Sequence, residues 1–140
     1  MYNWMSMKKL FLLILLSAII HGDLFSQDNS PFTRAQKLQR TLAYSEAIPL
    51  YMKALDQNPD KAEALRGIAE CFRLTNQTEQ SETYYRRLVM AGKGVEAIDK
   101  LRLAQMLMAN ANYTDAQRYF TEYNSTATTD ERAKNQLEAI

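Results

Sequence analysis

Apolar residues recur at intervals of three and four through most of the chain, the spacing of one buried face on an α-helix. Ala35, Leu38 and Leu42 set a first run, and Ala47, Ile48, Leu50, Tyr51, Ala54 and Leu55 a second. Carried along the chain, the spacing predicts helices over about 31–40, 45–57, 62–75, 79–91, 95–109 and 114–124. Ser30 is a good N-cap, and Pro31 suits the first helical position, where its missing N–H costs nothing. Turn formers separate the runs: Asn58-Pro59-Asp60, Asn76-Gln77, Gly92-Lys93-Gly94 and Asn110-Ala111-Asn112. Pro49 strains this reading, since its ring clashes with the carbonyl four residues back. With a start near Ser45 the clash falls on the cap, so an irregularity is expected there rather than a break.

The helices repeat in pairs. Ala35, Ala47, Tyr51 and Ala54 recur 34 residues later as Ala69, Ser81, Tyr85 and Leu88, and 35 residues after that as Ala104, Ala116, Phe120 and Tyr123. A period in this range marks a stacked array of helix hairpins. The small residues let paired helices approach closely at their crossing, and the aromatics fill the space towards the next hairpin. Such arrays usually bind peptides and proteins rather than catalyse. The fold class is therefore all-α: a right-handed superhelical stack of about three hairpins, over about 30–60, 61–92 and 93–125, with a final helix over 129–140. In that last stretch Ala133, Leu137 and Ile140 form an apolar face, and the stop on Ile140 reads as the front of a longer protein rather than a closed array.

Residues 1–26 stand apart. Lys8 and Lys9 precede an apolar run over 10–20, about half of the ~20 residues a bilayer-spanning helix needs. This is the pattern of a secretory signal peptide, with Ser26 before Gln27 as the cleavage point; an uncleaved anchor ranks second. Met1, Met5 and Met7 are all possible starts. The expectation is export to the periplasm or outer membrane, leaving one domain over 27–140.

Loss of the leader changes the chemistry available. The remaining segment carries 15 Lys+Arg and 15 Asp+Glu, with nothing like the basic stripe of a nucleic-acid binder. His21 and Trp4, the only His and Trp, leave with it. That removes His-based catalysis and the commonest metal ligand. Cys71 is a lone thiol, read as structural rather than as a redox sensor. Ala91-Gly92-Lys93-Gly94 lacks the strand and spacing of a phosphate loop and reads as a helix stop. Asn76, Asn112 and Asn124 each open an Asn-x-Thr triplet, and the first two sit at one repeat phase as turn residues. No catalytic residues, metal site or cofactor are expected, and no enzymatic activity.

These residues resemble the tetratricopeptide repeat. The first repeat matches at Ala35, Tyr44, Ala47, Tyr51, Ala54 and Pro59; the second keeps Ala69, Phe72 and Tyr85; the third keeps Leu103, Ala104, Tyr113, Ala116 and Phe120. The resemblance implies a concave groove lined by the first helix of each pair. Its groove phases fall on Phe32, Gln36 and Arg40, then Arg66, Glu70 and Arg73, then Leu101, Gln105 and Met108. Arg66 and Arg73 are the expected grip for a carboxylate, through planar paired donors. The bland alternative is a solvated Arg66–Glu70–Arg73 network along one helix. The Lys and Asn clamp of chaperone-binding members is absent, since Phe32 and Gln36 occupy its first two phases.

The signal peptide, Y-S-E-A-I-P-L-Y-M-K-A-L-D-Q-N-P-D, A-L-R-G-I-A-E-C-F-R-L-T-N-Q and R-A-K-N-Q-L-E-A-I together resemble the front of a bacterial envelope family. In it a tetratricopeptide segment precedes a β-propeller and an OmpA-like peptidoglycan-binding domain. Some members, similar to PorE, belong to the type IX secretion and gliding machinery. The resemblance implies a non-catalytic scaffold that binds a protein or peptide of an outer-membrane, peptidoglycan-associated or secretion complex. It implies no nucleic acid, and membrane association only through partners or a further C-terminal region. Two rivals remain: the periplasmic input domain of a membrane sensor, and the N-terminal binding module of an exported enzyme.

Overall fold

The computed structural model describes residues 29–126. The expected leader with its cleavage point and the expected helix over 129–140 lie outside these residues. Six helices follow one another: α1 (Pro31–Arg40), α2 (Tyr44–Gln57), α3 (Ala62–Leu74), α4 (Thr78–Ala91), α5 (Ala97–Ala109) and α6 (Tyr113–Thr126). Each packs on the next, and α1 also touches α3, so that α1, α3 and α5 form one layer and α2, α4 and α6 the other. No strand occurs among the described residues.

Local chemistry sets the ends of these helices. The Ser30 hydroxyl accepts the Thr33 N–H at 3.2 Å, with Pro31 in the first turn. α5 begins two residues later than the pattern predicts because Glu96 and Asp99 form a reciprocal capping box at its start. α2, α4 and α6 each begin one residue earlier than expected, and the reason is a turn used three times. Leu42, Asn76 and Ala111 adopt φ of 63°, 59° and 62°. In each case the next residue donates its N–H back across the turn: Ala43 to the Leu38 carbonyl at 2.9 Å, Gln77 to Phe72 at 2.8 Å and Asn112 to Leu107 at 2.8 Å. This is the Schellman closure of a helix end. The same three residues accept the first turn of the following helix, through the N–H groups of Ala47, Ser81 and Ala116. One residue thus ends a helix and starts its partner, and the hairpin is tight.

Leu42 is the costly member of the three. It is 70% exposed, so its side chain packs on little, while its left-handed backbone costs a non-glycine residue about 1–2 kcal/mol. Glycine would remove that strain at an entropic cost of about 0.5–1 kcal/mol. Leu42→Gly is expected to raise the melting temperature by a few degrees, measured by circular dichroism; a fall would show that the turn is not strained.

The core is built at the crossings. Ala35, Ala69 and Ala104, facing Ala47, Ser81 and Ala116, are all fully buried. Ser81 is tolerated there because its hydroxyl donates to the Ala69 carbonyl at 2.9 Å. Tyr51, Tyr85 and Phe120 are buried beside them. Gly92 closes α4 in the left-handed conformation, as a helix stop. Pro49 lies at the sixth position of an unbroken α2, so the carbonyl facing its ring is that of Ser45 inside the first turn, not the cap. Both residues are exposed, so the carbonyl that loses its helical N–H partner lies on the solvent side of α2, where the loss costs least.

Candidate functional site

The inner layer bounds a concave groove with a cavity of about 400 Å³. Its floor and walls come from Gln36 and Gln39 of α1, Glu63, Arg66, Gly67 and Glu70 of α3, and Ile98, Asp99 and Arg102 of α5. Tyr51 and Tyr85 reach it from the outer layer. Their rings are buried, and each phenol donates to a side chain of its own hairpin. Tyr51 donates to Gln39 Oε1, and Tyr85 to Glu70 Oε2 at 2.7 Å. Burial, then the Cys71 thiol, pushes the Tyr51 hydroxyl up to about 12 despite Arg40. Burial and the Glu70 charge push Tyr85 far above the ordinary phenol value. Both stay protonated, and their oxygens remain hydrogen-bond acceptors at the groove floor.

The charges of the floor are largely spent on the fold. Arg66 donates through Nε to Asp99 Oδ1 and through Nη2 to Asp99 Oδ2, both at 2.7 Å, and also to the Gly94 carbonyl at 2.8 Å. Glu96 lies 3.2 Å from Nη1. Asp99 is 1% exposed and also accepts the Glu96 N–H at 2.8 Å. The Asp99 hydrogen bonds outweigh burial and raise Arg66 above its ordinary value. Arg73 Nε donates to Glu70 Oε2 at 2.8 Å, beside the Tyr85 hydroxyl. Burial pushes the Glu70 carboxyl up, but the hydrogen bonds from Arg73 and Tyr85 and the charges of Arg73 and Arg102 together hold it below the usual carboxylate value. On the outer side, Arg86 pairs with Glu82 at 2.8 Å and with Asp115 at 3.4 Å, tying α4 to α6.

Of the nine residues expected in the groove, Gln36, Arg66 and Glu70 line it. Arg73 stands behind Glu70, and Gln105 accepts from Arg102 at 3.0 Å. Phe32 forms a half-buried flank, its ring 6.0 Å from that of Tyr51 and 3.7 Å below Lys61 Nζ. Arg40 is exposed at the end of α1, and Met108 packs partly buried against the core. Leu101 is fully buried and offers no surface. At its phase an apolar side chain turns into the core, whereas Arg66 at the same phase of α3 reaches over to α5. The two arginines expected to grip a carboxylate are each paired within the fold, Arg66 with Asp99 and Arg73 with Glu70. Of the alternative network only the Glu70–Arg73 pair forms, since Arg66 leaves its own helix for the next hairpin.

The pattern missed Gln39, Glu63, Asp99 and Arg102, and treated Tyr51 and Tyr85 as packing alone. Asp99 did carry a signal. It recurs at the phase of fully buried Ala64, and an acid at a buried phase demands a cation within reach. Cys71 is fully buried, and burial with the Glu70 charge pushes its thiol up to about 11, so it stays protonated and inert.

Residues 43–102 match the family model for the tetratricopeptide repeat. Comparison with curated proteins gives no match. Among solved structures, the chain is similar to YrrB, a TPR protein with an unusual peptide-binding site, at TM-score 0.71 and 17% identity over 86% of this chain. The chain spans 62% of YrrB, less than two thirds of its length. The second TPR domain of human RPAP3, in complex with an HSP70 peptide, gives TM-score 0.70 at 14% identity, over 79% of this chain and 91% of that one. The type III secretion translocator chaperone SycD of Yersinia enterocolitica gives 0.64 at 14% identity, over 79% and 87%. At such identities the likeness is one of fold, and the fold of residues 29–126 is the tetratricopeptide-type stack of helix hairpins.

Proposed function

We propose that the chain is a non-catalytic protein-interaction module whose groove holds an extended segment of a partner. We further propose that it works, exported, as a scaffold docking an outer-membrane, peptidoglycan-associated or secretion complex. The observation that carries the binding reading is the groove itself, open along three successive hairpins and floored by phenol oxygens and carboxamides. Such groups hydrogen-bond a peptide main chain without demanding one sequence. The peptide-bound RPAP3 domain and the peptide-binding YrrB support the same use of the fold. The leader pattern of residues 1–26 supports export.

A photo-crosslinking side chain placed at Gln36 of the full chain, in the host of origin, tests both parts. The expected result is a discrete adduct from Gln36 and none from Lys53, which is exposed on α2, with the adduct in the envelope fraction. Equal adducts from both positions would overturn groove binding. A chain of uncleaved mass in the cytosol would overturn export.

A further inference from the structure

The charge pairing of the groove says more about the ligand than the groove's shape does. Five charged residues line the cavity: Glu63, Arg66, Glu70, Asp99 and Arg102. Three are committed, Arg66 and Asp99 to each other and Glu70 to Arg73 and Tyr85. The other two have opposite sign and no ion pair among the described residues. Glu63 is exposed in the first turn of α3. Lys61, two residues earlier, lies on the Phe32 ring, and Arg66, on which the Glu63 charge also bears, is already paired with Asp99. Arg102 is half-buried on α5, and Gln105 takes one of its N–H donors at 3.0 Å. Its charge reaches the floor, where it bears on both Glu70 and Tyr85.

We propose that the occupant of the groove is an extended peptide segment bearing a basic side chain set against Glu63 and an acidic one set against Arg102. The proposal rests on the groove-binding reading and adds the ligand's charge pattern to it. The two residues sit on successive inner-layer helices, so a segment crossing from α3 to α5 meets first the acid and then the base. Beside that path the Tyr85 oxygen stands at Glu70, and on the α1 side of α3 the Tyr51 oxygen and the Gln36 and Gln39 carboxamides serve the main chain as it continues. Uniformly acidic or basic segments satisfy one contact and oppose the other.

The test uses the full chain and fluorescence anisotropy with labelled peptide pools on a Gly/Ser background. One pool carries both Lys and Glu, one Glu alone, one Lys alone, and one is uncharged. The mixed pool is expected to bind roughly fivefold more tightly than either single-charge pool, the size that partly exposed pairs allow. Glu63→Lys should transfer the preference to the Glu pool, and Arg102→Glu to the Lys pool. Neither residue makes an ion pair among the described residues, but Arg102→Glu sets a carboxylate towards Glu70. Arg102→Gln is therefore measured beside it and should lose the preference for Glu without gaining one for Lys. Circular dichroism checks the fold of all three variants. Equal binding of the uncharged and mixed pools, unmoved by the swaps, would overturn the charge pattern and leave groove binding standing. No binding by any pool, with the Gln36 crosslink intact, would overturn the short charged segment alone. Loss of both would overturn the groove reading with it.

Discussion

Arg66→Ala is expected to destabilise the chain by about 3 kcal/mol in urea unfolding at neutral pH. The Asp99 carboxylate is 1% exposed and takes two of its hydrogen bonds from Arg66. Truncating the arginine leaves a buried anion held by the Glu96 N–H and by its place at the start of α5. Breaking a buried pair from one side costs about 3–5 kcal/mol. The Arg66 side chain is 24% exposed, so water partly replaces it and the lower end applies. Removing both partners should cost less than removing the arginine alone, because no charge is then stranded. The double variant Arg66→Ala/Asp99→Ala is therefore expected to lie about 1–2 kcal/mol above Arg66→Ala, a coupling read from a double-mutant cycle. Alanine at 99 is also what repeat two carries at that phase, as Ala64. A double variant no more stable than Arg66→Ala would show that the pair does not join the second and third hairpins. A binding defect from Arg66 substitution then reports the loosening of α5 before it reports any ligand contact.

What could be read from the sequence divides along a physical line. The α1 limits Pro31–Arg40 are as predicted because Ser30 and Pro31 act within one turn of each other. The crossing alanines were legible because small residues at a fixed period have few other uses. The turns at Leu42 and Ala111 were partly hidden, since neither carries the glycine that usually marks a left-handed residue. In the pairings between hairpins the need for a cation at Asp99 could be read from its phase, but not which cation meets it. Whether Arg66 meets Glu70 on its own helix or Asp99 on the next depends on how the hairpins stack, and 34 residues of period do not encode that angle. The same holds for Tyr51 and Tyr85: their buried rings follow from the period, but where their hydroxyls emerge follows from the neighbouring backbone.

That neighbouring backbone makes Gly67 the second sensitive position. In the interior of a helix, Gly→Ala normally stabilises by about 1 kcal/mol. At Gly67 the sign reverses. A Cβ there would lie 2.4 Å from Tyr51 Cζ and 2.6 Å from Cε1, about 1 Å inside ordinary contact. The ring has little room to retreat, since it is 1% exposed, meets Phe32 edge-on and is bonded through its hydroxyl to Gln39. Overpacking of this kind costs about 1–3 kcal/mol, and with a rigid ring the upper end should outweigh the propensity gain. Gly67→Ala is expected to lose about 2 kcal/mol and to shift Tyr51 and Gln39 at the groove floor. At the next junction the same phase holds Arg102, so Gly67 is the point where an outer-layer phenol lies directly on an inner-layer backbone. Tyr51→Leu should cost about 2 kcal/mol by itself through lost packing. Combined with Gly67→Ala it should cost clearly less than the two separately, because the smaller side chain vacates the space the new methyl needs. Strict additivity, or a gain in stability from Gly67→Ala alone, would mean that the ring does not rest on α3 and that the groove floor is shaped by something else.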